Sequence, residues 1–243
     1  MSGRTVITES VYWRRDLYRA ALEVRKKATQ KVWREASLSV LERRLMIGAF
    51  AVRRLIESSK LPESLSKDTI VCAEMRPLPI NLERFRYAPP VDVFQAREMF
   101  DFAHAVSTRI HLQFMVNQII HSNLLIYLSP KETEVGEMAL LVTSDWEKNR
   151  RLLGLWLLDI AMVFERVALT EPSAGVYSWS EKHKQTRLEV TESELDDRLV
   201  HWGFASAEEV ARSIQRIQNL RRPSLSLENV LKKIDQDILA LGI

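Results

Sequence analysis

Apolar residues recur at three- and four-residue steps over residues 11–34, where Trp13, Leu17, Ala20, Val24, Ala28 and Val32 form one stripe. That period predicts an amphipathic helix. Its other face carries Arg14, Arg15, Arg19, Arg25, Lys26, Lys27, Lys31 and Arg34. A second helix is predicted to start near Ser39, which has the form of a capping box with Glu42 three residues on. The apolar sector of this helix is wide, with Leu41, Leu45, Ile47, Phe50, Ala51, Val52, Leu55 and Ile56. It is therefore expected to lie deeper than the first.

The helical period stops at "SSKLPESLSKD". Residues 60–91 contain Pro62, Pro77, Pro79, Pro89 and Pro90 and read as a long irregular connection. Asp92 with Gln95 predicts an N-cap. From there the helical pattern runs to Ser122, with a break near Ser107 and Thr108. The period then shortens. "NLLIYLS", "GEMALLVTSD" and "RRLLGLWLLD" are short apolar runs that predict an antiparallel β-meander over about residues 123–158. The third run equally suits the start of a helix, with Asp159 as a cap for "IAMVFERVAL". Beyond Pro172 the sequence predicts three more helices. Their signals are capping boxes at Thr191/Glu194 and Ser206/Glu209, a stop at Gly203, and a final amphipathic segment capped by Ser224 or Ser226.

The expected fold is thus mostly α, an α-rich α+β protein. Residues 1–170 would form a helical core with the meander inside it, and residues 171–243 a helical C-terminal extension. The scarcity of glycine, seven in 243 residues, argues against glycine-rich phosphate loops and turn-dense all-β folds. Cys72 is the only cysteine, so neither an internal disulfide nor a cysteine-based zinc cluster can form. The first ten residues are polar, and the most apolar stretch is interrupted by Asp159. The expectation is a soluble, cytoplasmic protein without a membrane segment.

Charge is uneven. The first 60 residues hold 14 Lys/Arg against 6 Asp/Glu, a net of +8, and the remaining 183 carry −5. A basic helix can meet nucleic acid or an acidic protein surface. Arg14, Arg15, Arg25, Lys26 and Lys27 are the candidate nucleic-acid-binding residues within 14–34, although cations along an exposed helix face are most often simply solvated.

Nucleotide loops, nucleophile elbows and zinc-protease helices are absent from the sequence, and no metal or cofactor is expected. "SDWEKNR" places Glu147 and Lys148 side by side and reads as a polar turn. "REMFDFAH" sets Arg97 and His104 seven apart, on one face of a helix. "VNQIIHS" sets Asn117 and His121 four apart, again on one face. A histidine there could move a proton at a ribose hydroxyl, and an amide could orient a phosphate. The other reading is a histidine and an amide that fix a helix-to-strand corner by bonding backbone.

Asn117 and His121 resemble the polar residue and the histidine of the HEPN superfamily signature. These are helical-bundle proteins that include many metal-independent ribonucleases. The arginine of that signature falls at Val116 here. "YWRRDL", "AVRRLIESSKL", "NQIIHS" and "VTSDWEKNR", in that order, also resemble a group of bacterial proteins without an established activity. The resemblance implies a degenerate HEPN-like helical bundle at the centre of the chain. It points to an interaction or regulatory protein of the kind found in bacterial defence and toxin–antitoxin systems, with a protein partner or a second copy. The alternatives are a metal-independent ribonuclease using His121 and Asn117 with an arginine from elsewhere, and a non-catalytic nucleic-acid-binding accessory protein.

Overall fold

The computed structural model describes residues 10–79, 90–134, 136–180, 185–195, 198–218 and 226–240, with the backbone alone between residues 171 and 198. The chain opens with helices α1 (Ser10–Ala28), α2 (Glu35–Glu57) and the single turn α3 (Glu63–Ser66). Strand β1 (Thr69–Met75), helix α4 (Val93–Met99), strand β2 (Val106–His111) and helix α5 (Leu112–Ile120) follow. Strands β3 (Ser122–Leu128), β4 (Ala139–Ser144) and β5 (Leu152–Trp156) lead into helix α6 (Leu157–Leu169). A hairpin of β6 (Thr170–Ser180) and β7 (Gln185–Leu195) precedes α7 (Arg198–His201), α8 (Ala207–Gln218) and α9 (Leu227–Ala240).

The first five strands form one antiparallel sheet in the order β2-β1-β5-β4-β3. This corrects the expected helical bundle. The β3–β4–β5 meander forms where the period predicted it, but it is the larger part of a five-stranded sheet, and the fold is α+β. The β6–β7 hairpin stands where the extension was expected to be helical, and two strands of the main sheet escaped the sequence pattern for physical reasons. In β1 the buried residues face both ways, Ile70 and Cys72 toward one core and Ala73 and Met75 toward the other, which erases a clean alternation. Edge strand β2 buries only Ile110, so it lacks an apolar run. The expected cap at Thr191/Glu194 is overturned too, because both residues lie in β7.

Helices cover the sheet on both sides. One core packs Ile70, Cys72, Leu140, Val142, Leu153 and Leu155 of the sheet against α1, α2, α5 and α6. The other packs Met75, Ala139, Leu141 and Trp156 against α4 and α9. Close approach is set by small residues. A Cβ on Gly48 of α2 would meet the Phe164 ring of α6 at 2.2 Å, and one on Gly154 of β5 would meet Leu227 of α9 at 3.0 Å. Residues of α8 and α9 join these same two cores, through Val210 and Leu231. The segment expected as a C-terminal extension therefore contributes cover for the central layers.

Several local signals act as predicted. Asp92 Oδ1 accepts from the Gln95 N–H at 2.9 Å, and Ser206 and Glu209 bond reciprocally. Gly203 has φ +69°, where a residue with a Cβ is strained. Others do not. Helix α2 starts at Glu35 after Arg34 rather than at Ser39, and Trp156 occupies the cap position expected of Asp159. Ser226 sits before α9 with its hydroxyl shielded and unbonded, and Ser224 lies outside the described residues.

The order of burial of the first two helices is reversed. Helix α1 packs against both α2 and α6 and buries even Arg14. Helix α2 leaves Ile47 and Phe50 44% and 48% exposed. Leu45 is fully buried, so Leu45→Ala should lower stability by about 2–5 kcal/mol through the cavity it leaves. Phe50→Ala should cost far less, because half the ring already meets water. Urea unfolding of the two variants checks the contrast, and equal losses would contradict this packing.

Candidate functional site

Two cations of the basic face, Arg14 and Arg25, are committed inside the protein, while Arg19, Lys26, Lys31 and Arg34 are exposed. The Arg14 guanidinium is 2% exposed and donates to the carbonyl oxygens of Val167 and Thr170 at the end of α6 and of Lys60 after α2. A cation there satisfies carbonyls that the helix end leaves without partners. Arg25 makes a two-pronged ion pair with Glu165 of α6 at 2.9 and 3.0 Å, and Arg216 of α8 adds a third bond at 3.0 Å. The Glu165 side chain has no exposed area, and two guanidinium groups supply the solvation it gives up. Arg15 pairs with Asp16 and lies over the rings of Tyr12 and Phe204. Lys27 bonds Gln30 and sits over Trp33, and Lys26 is exposed. The five candidate phosphate ligands are thus not gathered on one open surface.

The pair Arg97 and His104 is also separated, because α4 ends at Met99. Arg97 bonds Asp235 of α9 at 2.5 Å, while the exposed His104 bonds Asp101. Burial pushes the Cys72 thiol up to about 12, which keeps it protonated and unreactive at neutral pH.

His121 sits differently. It is the C-cap of α5 and the first residue of the corner into β3. Its N–H donates to the Asn117 carbonyl at 3.0 Å, and its own carbonyl accepts from the Asp145 N–H at 3.2 Å. Gln118 Oε1 accepts from the Ser144 N–H at 2.9 Å. These bonds tie the end of α5 to the turn after β4. That turn brings Trp146 against the imidazole, with ring centroids 5.0 Å apart, and leaves the indole 73% exposed.

A cation reaches His121 from another helix. Val116 is fully buried where α5 packs on α2, so an arginine at that position would have to enter the core. Arg53 of α2 instead places Nη1 3.0 Å from His121 Nε2. Guanidinium can only donate, so Nε2 accepts and the ring proton sits on Nδ1. Arg53 Nε also bonds Glu57 at 2.8 Å, and Arg54 bonds the same carboxylate at 3.3 Å. The Asn117 side-chain oxygen is shielded from solvent and has no hydrogen-bond partner, so that amide does not join His121 as a pair.

Arg53, His121 and Trp146 belong to "AVRRLIESSKL", "NQIIHS" and "VTSDWEKNR", three stretches that are far apart in the chain and meet at this corner. The fourth, "YWRRDL", reaches the first through Arg14 and Lys60. Sequence reasoning missed Arg53 because nothing local marks it; only the packing of α5 on α2 brings it to the histidine.

A cavity of about 490 Å³ lies elsewhere, between the β3–β4 connection and α9, lined by Glu132, Glu134, Lys233 and Asp237 among others. Among the described residues no group of three or more His, Cys, Asp or Glu is placed to hold a metal ion, and no helix is long and apolar enough to cross a membrane. Comparison of the chain with family models, curated proteins and solved structures finds no match.

Two expected outcomes separate the buried pairs from the corner. Arg25→Ala leaves the buried Glu165 carboxylate with Arg216 alone and should cost about 1–3 kcal/mol in chemical denaturation. His121→Ala removes a partly buried ring and its bond to Arg53, and should cost about 1–3 kcal/mol. Melting near the wild-type temperature for His121→Ala would mean that the ring does not fix the corner.

Proposed function

We propose that the chain is an interaction protein of regulatory type that binds single-stranded RNA at the Arg53–His121–Trp146 corner. The observation that carries this reading is an indole 73% open to solvent, beside an imidazole and next to a guanidinium. An exposed tryptophan offers a base a stacking surface, and arginine offers a phosphate a planar donor fork. The Nδ1–H of His121 is a donor at the same place. A ribose 2′-hydroxyl can accept from it, and that hydroxyl is what distinguishes RNA from DNA.

A second reading, metal-independent RNA cleavage, is favoured by one specific contact, that of Arg53 with His121. His121 Nε2 would take the 2′-hydroxyl proton as that oxygen attacks phosphorus, and the 5′-oxygen would leave with a proton from water. Arg53 would turn from the ring to the phosphate and offset its developing negative charge.

Fluorescence anisotropy with a labelled twelve-residue uridine RNA at low salt tests the binding reading. Trp146→Ala should weaken binding about 5- to 150-fold, equivalent to about 1–3 kcal/mol for one stacked base. Affinity should fall as salt rises, since phosphate contacts release counterions. Equal affinity of Trp146→Ala and wild type would refute the corner as the binding surface. Cleavage of the same RNA in the presence of a chelator, lost in folded His121→Ala, would promote the second reading.

A further inference from the structure

We infer that the outer face of α2 is the track along which the RNA strand runs away from the corner; this rests on the binding reading above. On a helical wheel Arg43, Ile47, Phe50 and Arg54 fall within about 60° of one another. They make one stripe roughly 16 Å long at a rise of 1.5 Å per residue. Arg43, Ile47 and Phe50 are exposed and Arg54 is partly so. The Phe50 ring is backed by Trp13 of α1, with centroids 6.1 Å apart, so a broad aromatic surface stands at the middle of the stripe.

The stripe alternates cation, apolar side chain, aromatic ring and cation. Charge complementarity favours a polyanion with flat hydrophobic bases over a plain acidic surface, which would leave Ile47 and Phe50 without a match. The stripe is continuous with the corner, because Arg53 and Arg54 follow Phe50 by three and four residues on the same helix. Of the three carboxylates on this helix, Glu35 lies in its first turn, eight residues before Arg43, and Glu57 is already shared by Arg53 and Arg54. Glu42 points about 100° away from Arg43 on the wheel, toward Tyr127, on which its charge acts. The occupant that fits is therefore single-stranded RNA, with a base on Trp146, a base on Phe50 and phosphates at Arg54 and Arg43.

Length dependence tests the track separately from the corner. A three-residue uridine RNA can fill the corner alone, and a twelve-residue one can also cover α2. Wild type should bind the longer RNA at least tenfold more tightly. Phe50→Ala with Arg43→Glu should remove most of that advantage and leave the three-residue affinity unchanged. The two side chains are exposed, and a thermal melt confirms that the variant is folded. A double variant that keeps the full length advantage overturns the track and spares the corner. Absence of binding to either RNA overturns both. Wild type that sediments as a dimer, with the double variant a monomer, assigns the face to a second copy and overturns the track as well.

Discussion

Strands β4 and β5 are buried along their whole length. Antiparallel sheets commonly keep one face in water, but Leu140, Val142, Leu153 and Leu155 on one side and Ala139, Leu141, Leu152 and Trp156 on the other leave these strands no wettable face. Helices must cover both sides, and the rest of the architecture follows from that need. Helices α1, α2, α5 and α6 supply one layer, and α4 and α9 the other. The last helix of the chain thus completes a core begun by the first strands, with Gly154 admitting Leu227.

The cost of bringing basic helices into such a core is met locally. Arg14 bonds backbone carbonyls at the end of α6, and Arg25 with Arg216 encloses the fully buried Glu165. Tyr18 adds a bond to Ser213, and burial raises its phenol above the ordinary range. These contacts join α1, α6 and α8 around buried polar groups. They take Arg14 and Arg25 out of any phosphate-binding face. Part of the positive charge near the start of the chain is structural, while Arg19, Lys26, Lys31 and Arg34 stay exposed alongside the cations of α2.

The corner depends on the same packing. Burial of Val116 and Ile119 against α2 fixes the rotation of α5, and the Gln118 bond to β4 fixes its end. His121 is then held between Arg53 from one side and Trp146 from the other. Each neighbour has a separate origin in the chain: Arg53 comes from the packing of α2 on α5, and Trp146 from the turn that hydrogen bonds tie to the end of α5. The surface is most open at the indole, with the Arg53 side chain 32% exposed beside it.

The sequence by itself determined the elements whose signals are local. The α1 stripe as far as Ala28, where the helix ends short of the expected residue 34 and leaves Val32 exposed, the three meander strands, the Asp92 cap and the Ser206/Glu209 box each rest on periodicity or on a bond between near neighbours. The identity of His121 as a corner residue was legible for the same reason, since isoleucines precede it and a strand follows. Tertiary structure decided whatever depends on partners distant in the chain. It made β1 and β2 strands, because a sheet supplies hydrogen bonds that neither segment's own pattern announces. It turned Arg14 and Arg25 inward, because α6 presented carbonyls and a carboxylate 140 or more residues away. It left Phe50 outside, because a wide apolar sector does not say which of its residues meets another helix. And it set Arg53 of α2 beside His121, because two packed helices pair side chains that lie 68 residues apart in the chain.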